Sequence, residues 1–131
     1  GPLYSKFKIL TSKFSNIKML GFIPDDELPH YYQNCRAFIM PQEEDFGITP
    51  IEAMSFGKPI LALRKGGAIE TIIEGQTGEF FNDPIPEGLA DGVRRLNENY
   101  TNYDGEKIKQ QARKFSTKRF KNEILKLVYN S

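Results

Sequence analysis

Two glutamates, Glu44 and Glu52, stand seven residues apart and enclose Phe46-Gly47-Ile48-Thr49, a pattern with the parts of an anion and sugar site. A carboxylate accepts two hydrogen bonds from vicinal hydroxyls, so each glutamate is suited to one sugar ring. Between them, Thr49, Pro50 and Glu52 fit a helix start, with Thr49 as N-cap, Pro50 at the first helical position and Glu52 closing a capping box. A helix beginning there turns the free N–H groups of Gly47 to Ile51 toward a ligand, with the positive end of the dipole behind them, which suits a diphosphate. Gly47 lets the backbone approach closely. Taken alone, Glu52 reads as a helix cap, and Glu43-Glu44-Asp45 reads equally as a solvated acidic loop. The combination of Glu44, Phe46-Gly47 and Glu52 favours the ligand.

That loop directly follows one of three short apolar runs, Ile17–Ile23, Ala37–Met40 and Pro59–Leu63, each bounded by Pro, Gly or polar residues as buried parallel strands are. A weaker fourth run is Glu79–Phe81. Segments with helical spacing separate them: Leu3–Phe14, Asp25–Asn34, Pro50–Phe56, Ala68–Glu74 and Glu87–Glu98. Gly57 stops the third of these and Pro59 enforces the stop. The alternation predicts an α/β, Rossmann-like parallel sheet with helices on both faces, its ligand beyond the carboxyl ends of the strands. From about residue 99 to 131 the pattern is a helical tail, Gly105–Phe115 and then a segment with Phe120, Ile124, Leu127 and Val128 on one face. One domain, residues 1–131, is expected, with its α/β core in about 1–98. Gly66-Gly67 follows the Pro59–Leu63 run and reads as a tight turn or as a second phosphate cradle, with Glu70 beside it.

Composition narrows the function classes. The chain has 131 residues, 39% hydrophobic and 27% charged, in the range of an ordinary globular domain. Its 18 Lys and Arg against 17 Asp and Glu leave a formal charge of +1, too balanced to imply a grip on nucleic acid. The single Cys35 excludes an internal disulfide, and no Cys/His cluster has metal-ligand spacing, so neither a disulfide framework nor a zinc site is expected. With no apolar run long enough to span a bilayer and no signal segment, a cytoplasmic setting is expected. The basic residues of the tail, from Lys107 to Lys126, read as a solvated face, or alternatively as peripheral contact with the inner face of an anionic membrane. His30, the lone histidine, lies beside Leu28, Tyr31 and Tyr32 on an amphipathic helix and reads as a surface or packing residue. Gly1-Pro2-Leu3 reads either as a tag remnant or as the end of a strand-to-helix turn.

The stretch from Glu44 through Glu52 to Gly57-Lys-Pro-Ile resembles the signature of the retaining glycosyltransferases of family 4. The resemblance continues in Asn16-Ile-Lys-Met-Leu-Gly-Phe-Ile-Pro, Gly66-Gly-Ala-Ile-Glu70 and Gly75-Gln-Thr-Gly-Glu-Phe-Phe, in the family's order. It implies the C-terminal, donor-binding half of a two-domain GT-B enzyme. Glu44 would contact the donor sugar, Glu52 the ribose, and the backbone of Phe46 to Thr49 the sugar and diphosphate, with Phe22 and Ile23 beside the base. The Glu-Glu-Asp-Phe-Gly form, with Asp45 where the family often has Gly, and Arg64-Lys-Gly-Gly are most similar to the bacterial mannosyltransferases of polysaccharide and lipopolysaccharide assembly.

That resemblance implies transfer of a hexose, mannose favoured, from GDP-mannose to a glycan or lipid-linked acceptor, with no metal and no cofactor. Two alternatives stand beside it: a UDP-sugar glucosyltransferase of the same family, and a non-catalytic binding module on the same fold. The family's diphosphate-neutralising Arg and Lys, and a histidine of the N-terminal acceptor domain, have no counterpart in this sequence, so no catalytic residue is assigned and the chain alone is expected to be inactive. The family's first strand would sit between Ile17–Ile23 and Ala37–Met40, so either those runs pair directly or another segment takes its place.

Overall fold

The computed structural model describes residues 26–40 and 48–115, with side chains from Ile51 onward in the second stretch. Expectations placed on Leu3–Phe14, on the strand Ile17–Ile23 and on the tail beyond Phe115 lie outside those residues.

Three strands, β1 (Phe38–Met40), β2 (Ile60–Leu63) and β3 (Gly78–Phe81), form a parallel sheet in the order β1-β2-β3. The register sets Phe38 opposite Ile60 and Met40 opposite Ala62, then Ile60 opposite Gly78 and Leu63 opposite Phe81. Among the described residues five helices connect and flank them: α1 (Leu28–Asn34), α2 (Ile48–Met54), α3 (Ala68–Thr71), α4 (Pro86–Glu98) and α5 (105–115), with a 3₁₀ turn at Tyr100–Asn102. The expected α/β alternation with a parallel sheet is thus observed.

All four residues of β2 are buried, as a central strand covered on both faces requires. Alternation sorts its side chains. Ile60 and Ala62, with Met40 and Phe80, meet Tyr32 of α1, Ala53 and Met54 of α2, Ala68 of α3, and Ile108 and Ala112 of α5. Leu61 and Leu63, with Phe81, meet Leu89 and Leu96 of α4. In α4 the buried Leu89, Gly92 and Leu96 recur at helical spacing, and Pro86 opens the helix where its missing N–H has no cost. Asp104 starts α5, its side chain accepting the Glu106 N–H at 2.9 Å.

Element boundaries differ from the sequence pattern in instructive places. α2 begins at Ile48, so Thr49 and Pro50 occupy its second and third positions rather than the N-cap and first. Proline is accepted there because the first-turn N–H groups have no partner within the helix. Gly57, at φ +78°, ends the turn after α2 in a conformation open to glycine. α3 stops at Thr71 instead of Glu74: the Thr77 hydroxyl accepts the Ile73 N–H at 2.8 Å, and Glu74 pairs with Gly78 in a parallel bridge. The chain is thereby drawn out of the helix into β3.

The outer edge of β3 is closed by side chains. The Thr77 and Phe81 carbonyls accept the N–H groups of Ile60 and of Arg64, just past β2, which leaves the backbone N–H and carbonyl of Phe80 facing outward while its side chain is buried. Its N–H donates to Glu74 Oε2 at 3.2 Å and its carbonyl accepts from Arg95 Nη2 at 2.6 Å.

Candidate functional site

Because the three strands are parallel, their carboxyl ends, at Met40, Leu63 and Phe81, lie along one edge of the sheet, from which the described segments 64–67 and 82–85 depart. The register sets the ends of β1 and β2 side by side, since Met40 and Ala62 are partners. Glu44, Phe46 and Gly47, and likewise Phe22 and Ile23, lie outside the described residues. Of the expected site, the structure describes the backbone of Ile48 and Thr49 in the first turn of α2, the exposed Glu52 one turn later, and the Gly66-Gly67 turn.

Glu52 is tethered from α1: the hydroxyl of Tyr32 donates to its Oε2 at 3.4 Å. Tyr32 is 2% exposed and packs edge-on against Phe38 at 5.1 Å, so the tether is anchored in the core. With α2 starting at Ile48, Glu52 lies beyond the third helical position that a capping box requires, and the residue is exposed.

Gly66 has φ +62°, a left-handed conformation that makes the turn between β2 and α3, while Gly67 caps α3 with no side-chain bond. The Lys65 N–H donates to the Leu63 carbonyl at 2.8 Å, folding the chain back at once. The tight-turn role is therefore visible. Glu70 is exposed in the first turn of α3.

Arg64 stands at the start of this turn, in the Arg64-Lys-Gly-Gly stretch, and no local spacing marks it as a site residue. Its guanidinium donates to Glu74 Oε2 at 2.7 Å and to Asn82 Oδ1 at 2.9 Å, and lies 4.6 Å from the centre of the Phe80 ring. Partners 10 and 18 residues away thus fix the turn that carries Gly66-Gly67 to the far strand.

A cleft of about 290 Å³ opens at the end of β3 instead, lined in part by Asn82, Asp83, Glu87, Asp91 and Arg95. It contains none of the expected donor residues. Its lining is acidic, and Arg95 is occupied by Asp91 at 2.9 Å and the Phe80 carbonyl. Such a surface repels a diphosphate.

Elsewhere, His30 is exposed on α1 beside Asn34, and burial pushes the Cys35 thiol above its ordinary range. Among the described residues no cluster of His, Cys, Asp and Glu is arranged to hold a metal, and no helix is long and apolar enough to cross a membrane.

The family model for glycosyl transferases group 1 matches residues 7–115. The chain belongs to this family. As a group 1 glycosyltransferase sequence it is 31% identical, over 121 residues, to an uncharacterized glycosyltransferase of Methanocaldococcus jannaschii, an alignment covering 88% of this chain and 34% of that protein. It is 41% identical over 64 residues to the alpha-1,3/1,6-mannosyltransferase ALG2 of Dictyostelium discoideum, covering 48% of this chain and 15% of that one. The fold is similar to that of the sucrose-phosphate synthase from Thermosynechococcus elongatus, with a TM-score of 0.71, 21% identity, and coverage of 97% of this chain and 35% of the other. The chain therefore spans about a third of the length of that M. jannaschii relative and of that structure. It is a glycosyltransferase group 1 domain.

Proposed function

We propose that this group 1 glycosyltransferase domain binds the nucleotide-sugar donor of a retaining, GT-B hexosyltransferase. Residues 41–47 would cradle the sugar and diphosphate, with Glu44 on the sugar and Glu52 on the ribose; Phe22 and Ile23 would lie beside the base. The observation that supports the reading is the parallel pairing of β1 with β2, which sets the end of β1 beside the strand that leads into the Gly66-Gly67 turn, together with the exposed Glu52 of α2, whose Oε2 accepts the Tyr32 hydroxyl. The favoured donor is GDP-mannose, supported by the Glu-Glu-Asp-Phe-Gly form and by the likeness to a mannosyltransferase over part of the chain. An acceptor-binding domain would present the glycan or lipid-linked acceptor from the cytoplasmic side. Transfer requires both halves, since the reaction depends on a held acceptor and on stabilised charge on the leaving diphosphate.

Calorimetric titration of the chain with GDP, UDP and ADP tests this. One diphosphate should bind, GDP on the favoured reading. Glu52→Ala should weaken it at least about tenfold, since a charge-assisted hydrogen bond is worth roughly 1.5–3 kcal/mol. Binding unchanged by Glu52→Ala removes the ribose assignment, and binding of none of the three overturns the donor-site reading.

A further inference from the structure

The turn after β2 carries two adjacent cations, Arg64 and Lys65, at the edge where the donor reading places a diphosphate. Their surroundings separate their roles. Two of the three guanidinium nitrogens of Arg64 are committed, Nη2 to Glu74 and Nε to Asn82, and one face of the group lies on the Phe80 ring. Glu74 is held in turn, because the same Oε2 accepts the backbone N–H of Phe80. Turning Arg64 toward a ligand would break two hydrogen bonds and a stacking contact together. Lys65 is exposed, and its ammonium forms no hydrogen bond or ion pair with any described residue.

The other cations near the sheet are placed elsewhere. Arg95 is bound by Asp91 and the Phe80 carbonyl on the α4 side. Arg36, before β1, lies over the Tyr100 ring at 4.2 Å, and Lys58 precedes β2, so both stand at the opposite, amino end of the strands. At the carboxyl edge of β1 and β2, Lys65 is the cation left uncommitted among the described residues.

We propose that Lys65 is a diphosphate-binding residue of the donor site and that Arg64 is a positioning residue, which holds the Lys65-Gly66-Gly67 turn against β3 without meeting the ligand. This rests on the donor-site reading above. The backbone makes the division workable: the Lys65 N–H bonded to the Leu63 carbonyl and the left-handed Gly66 fix where the lysine leaves the chain. A lysine then serves as a mobile point charge, whereas the planar fork of arginine suits the fixed double contact.

The test is a two-dimensional NMR titration of the 131-residue chain with GDP, UDP and the corresponding nucleosides, with thermal melting of every variant. Lys65→Ala should weaken the bound nucleoside diphosphate about fivefold, leave nucleoside binding and the melting temperature unchanged, and be largely rescued in Lys65→Arg. Arg64→Lys should fail to restore what Arg64→Ala loses, because lysine cannot fork, and Glu74→Ala should reproduce that loss although no ligand reaches it. If the unsubstituted chain binds a nucleoside diphosphate and Lys65→Ala binds it equally well, the proposal is wrong and the donor reading stands. A full rescue by Arg64→Lys with Glu74→Ala unaffected would put Arg64 on the ligand and overturn the division of roles. No diphosphate binding by the unsubstituted chain removes the donor reading and this proposal with it.

Discussion

Replacing Glu79 by alanine would strip the α4-facing side of the sheet of its one buried carboxylate among the described residues. Glu79 is 7% exposed on β3, opposite Leu61. Its Oε1 accepts the Tyr103 hydroxyl at 2.7 Å and Asn99 Nδ2 at 3.1 Å, and its Oε2 lies 3.8 Å from Arg95 Nη1. These partners span the end of α4 and the residue after the 3₁₀ turn, so one carboxylate ties the edge strand to the helix that covers it. A hydrogen bond to a charged group is worth roughly 1.5–3 kcal/mol, and a neutral one about 1 kcal/mol. Desolvating the carboxylate offsets part of that gain.

Glu79→Gln keeps the acceptor and the shape but loses the charge, so about 1 kcal/mol of stability should go. Glu79→Ala also leaves two donors without their acceptor and opens a small cavity. Tyr103 is only partly buried and can recruit water, which holds the total to about 3 kcal/mol. For 131 residues the unfolding entropy is about 0.3 kcal/mol per kelvin, so the alanine variant should melt about 10 °C lower and the glutamine variant about 4 °C lower. Urea denaturation followed by circular dichroism measures both. Pairing Glu79→Gln with Tyr103→Phe should give a non-additive cycle, with a coupling of about 1 kcal/mol. An alanine variant within about 0.5 kcal/mol of the unsubstituted chain would refute the reasoning.

Three further outcomes follow from the same packing. Burial, and then the hydrogen bond to Glu79, raise the Tyr103 pKa above its ordinary 10.0; the unfolded chain therefore ionises first, stability is fully present below pH 10 and declines as pH rises above it, and Tyr103→Phe should flatten that decline in a melting series from pH 8 to 11. Gly92→Ala should destabilise by about 1 kcal/mol in urea titration despite alanine's better helix propensity, because the added Cβ would come within 2.8 Å of Leu61 Cδ1 and 3.2 Å of Phe81 Cβ, in a packed layer that does not yield freely. Leu61→Ala, at a position 0% exposed in the central strand, should cost about 3 kcal/mol by the same measurement, and a loss below 1 kcal/mol would mean that the α4 layer is loosely packed.

The sheet was legible because β2 is apolar along its whole length and sits between two strands, so its pattern was not diluted by an exposed face. β3 read weakly for a reason now visible: Glu79 interrupts its apolar run and is tolerated there only through partners 20 and 24 residues further on. The early end of α3 was hidden in the same way, since nothing in Ala68–Glu74 announces that the Thr77 hydroxyl will take the Ile73 N–H. At the site, the sequence named Glu52 and the Gly66-Gly67 turn but not the tether from Tyr32 or the clamp at Arg64, because hydrogen bonds between distant segments leave no periodicity to read.

Those long-range contacts also link the site to the edge of the sheet. Glu74 Oε2 accepts both the Arg64 guanidinium, which fixes the turn beside the candidate site, and the outward N–H of Phe80, which a further strand would otherwise use. Arg95 occupies the Phe80 carbonyl from the other side. An open edge of this kind invites pairing with another chain, and side chains that satisfy it suppress that pairing. Removing Glu74 should therefore do two things at once: release the turn that carries Lys65, Gly66 and Gly67, and expose an unpaired edge N–H. Concentration-dependent light scattering would report the second, independently of any ligand. A Glu74→Ala chain that scatters no more light than the unsubstituted chain while losing affinity would separate the two roles and leave Arg95 as the sufficient guard of that edge.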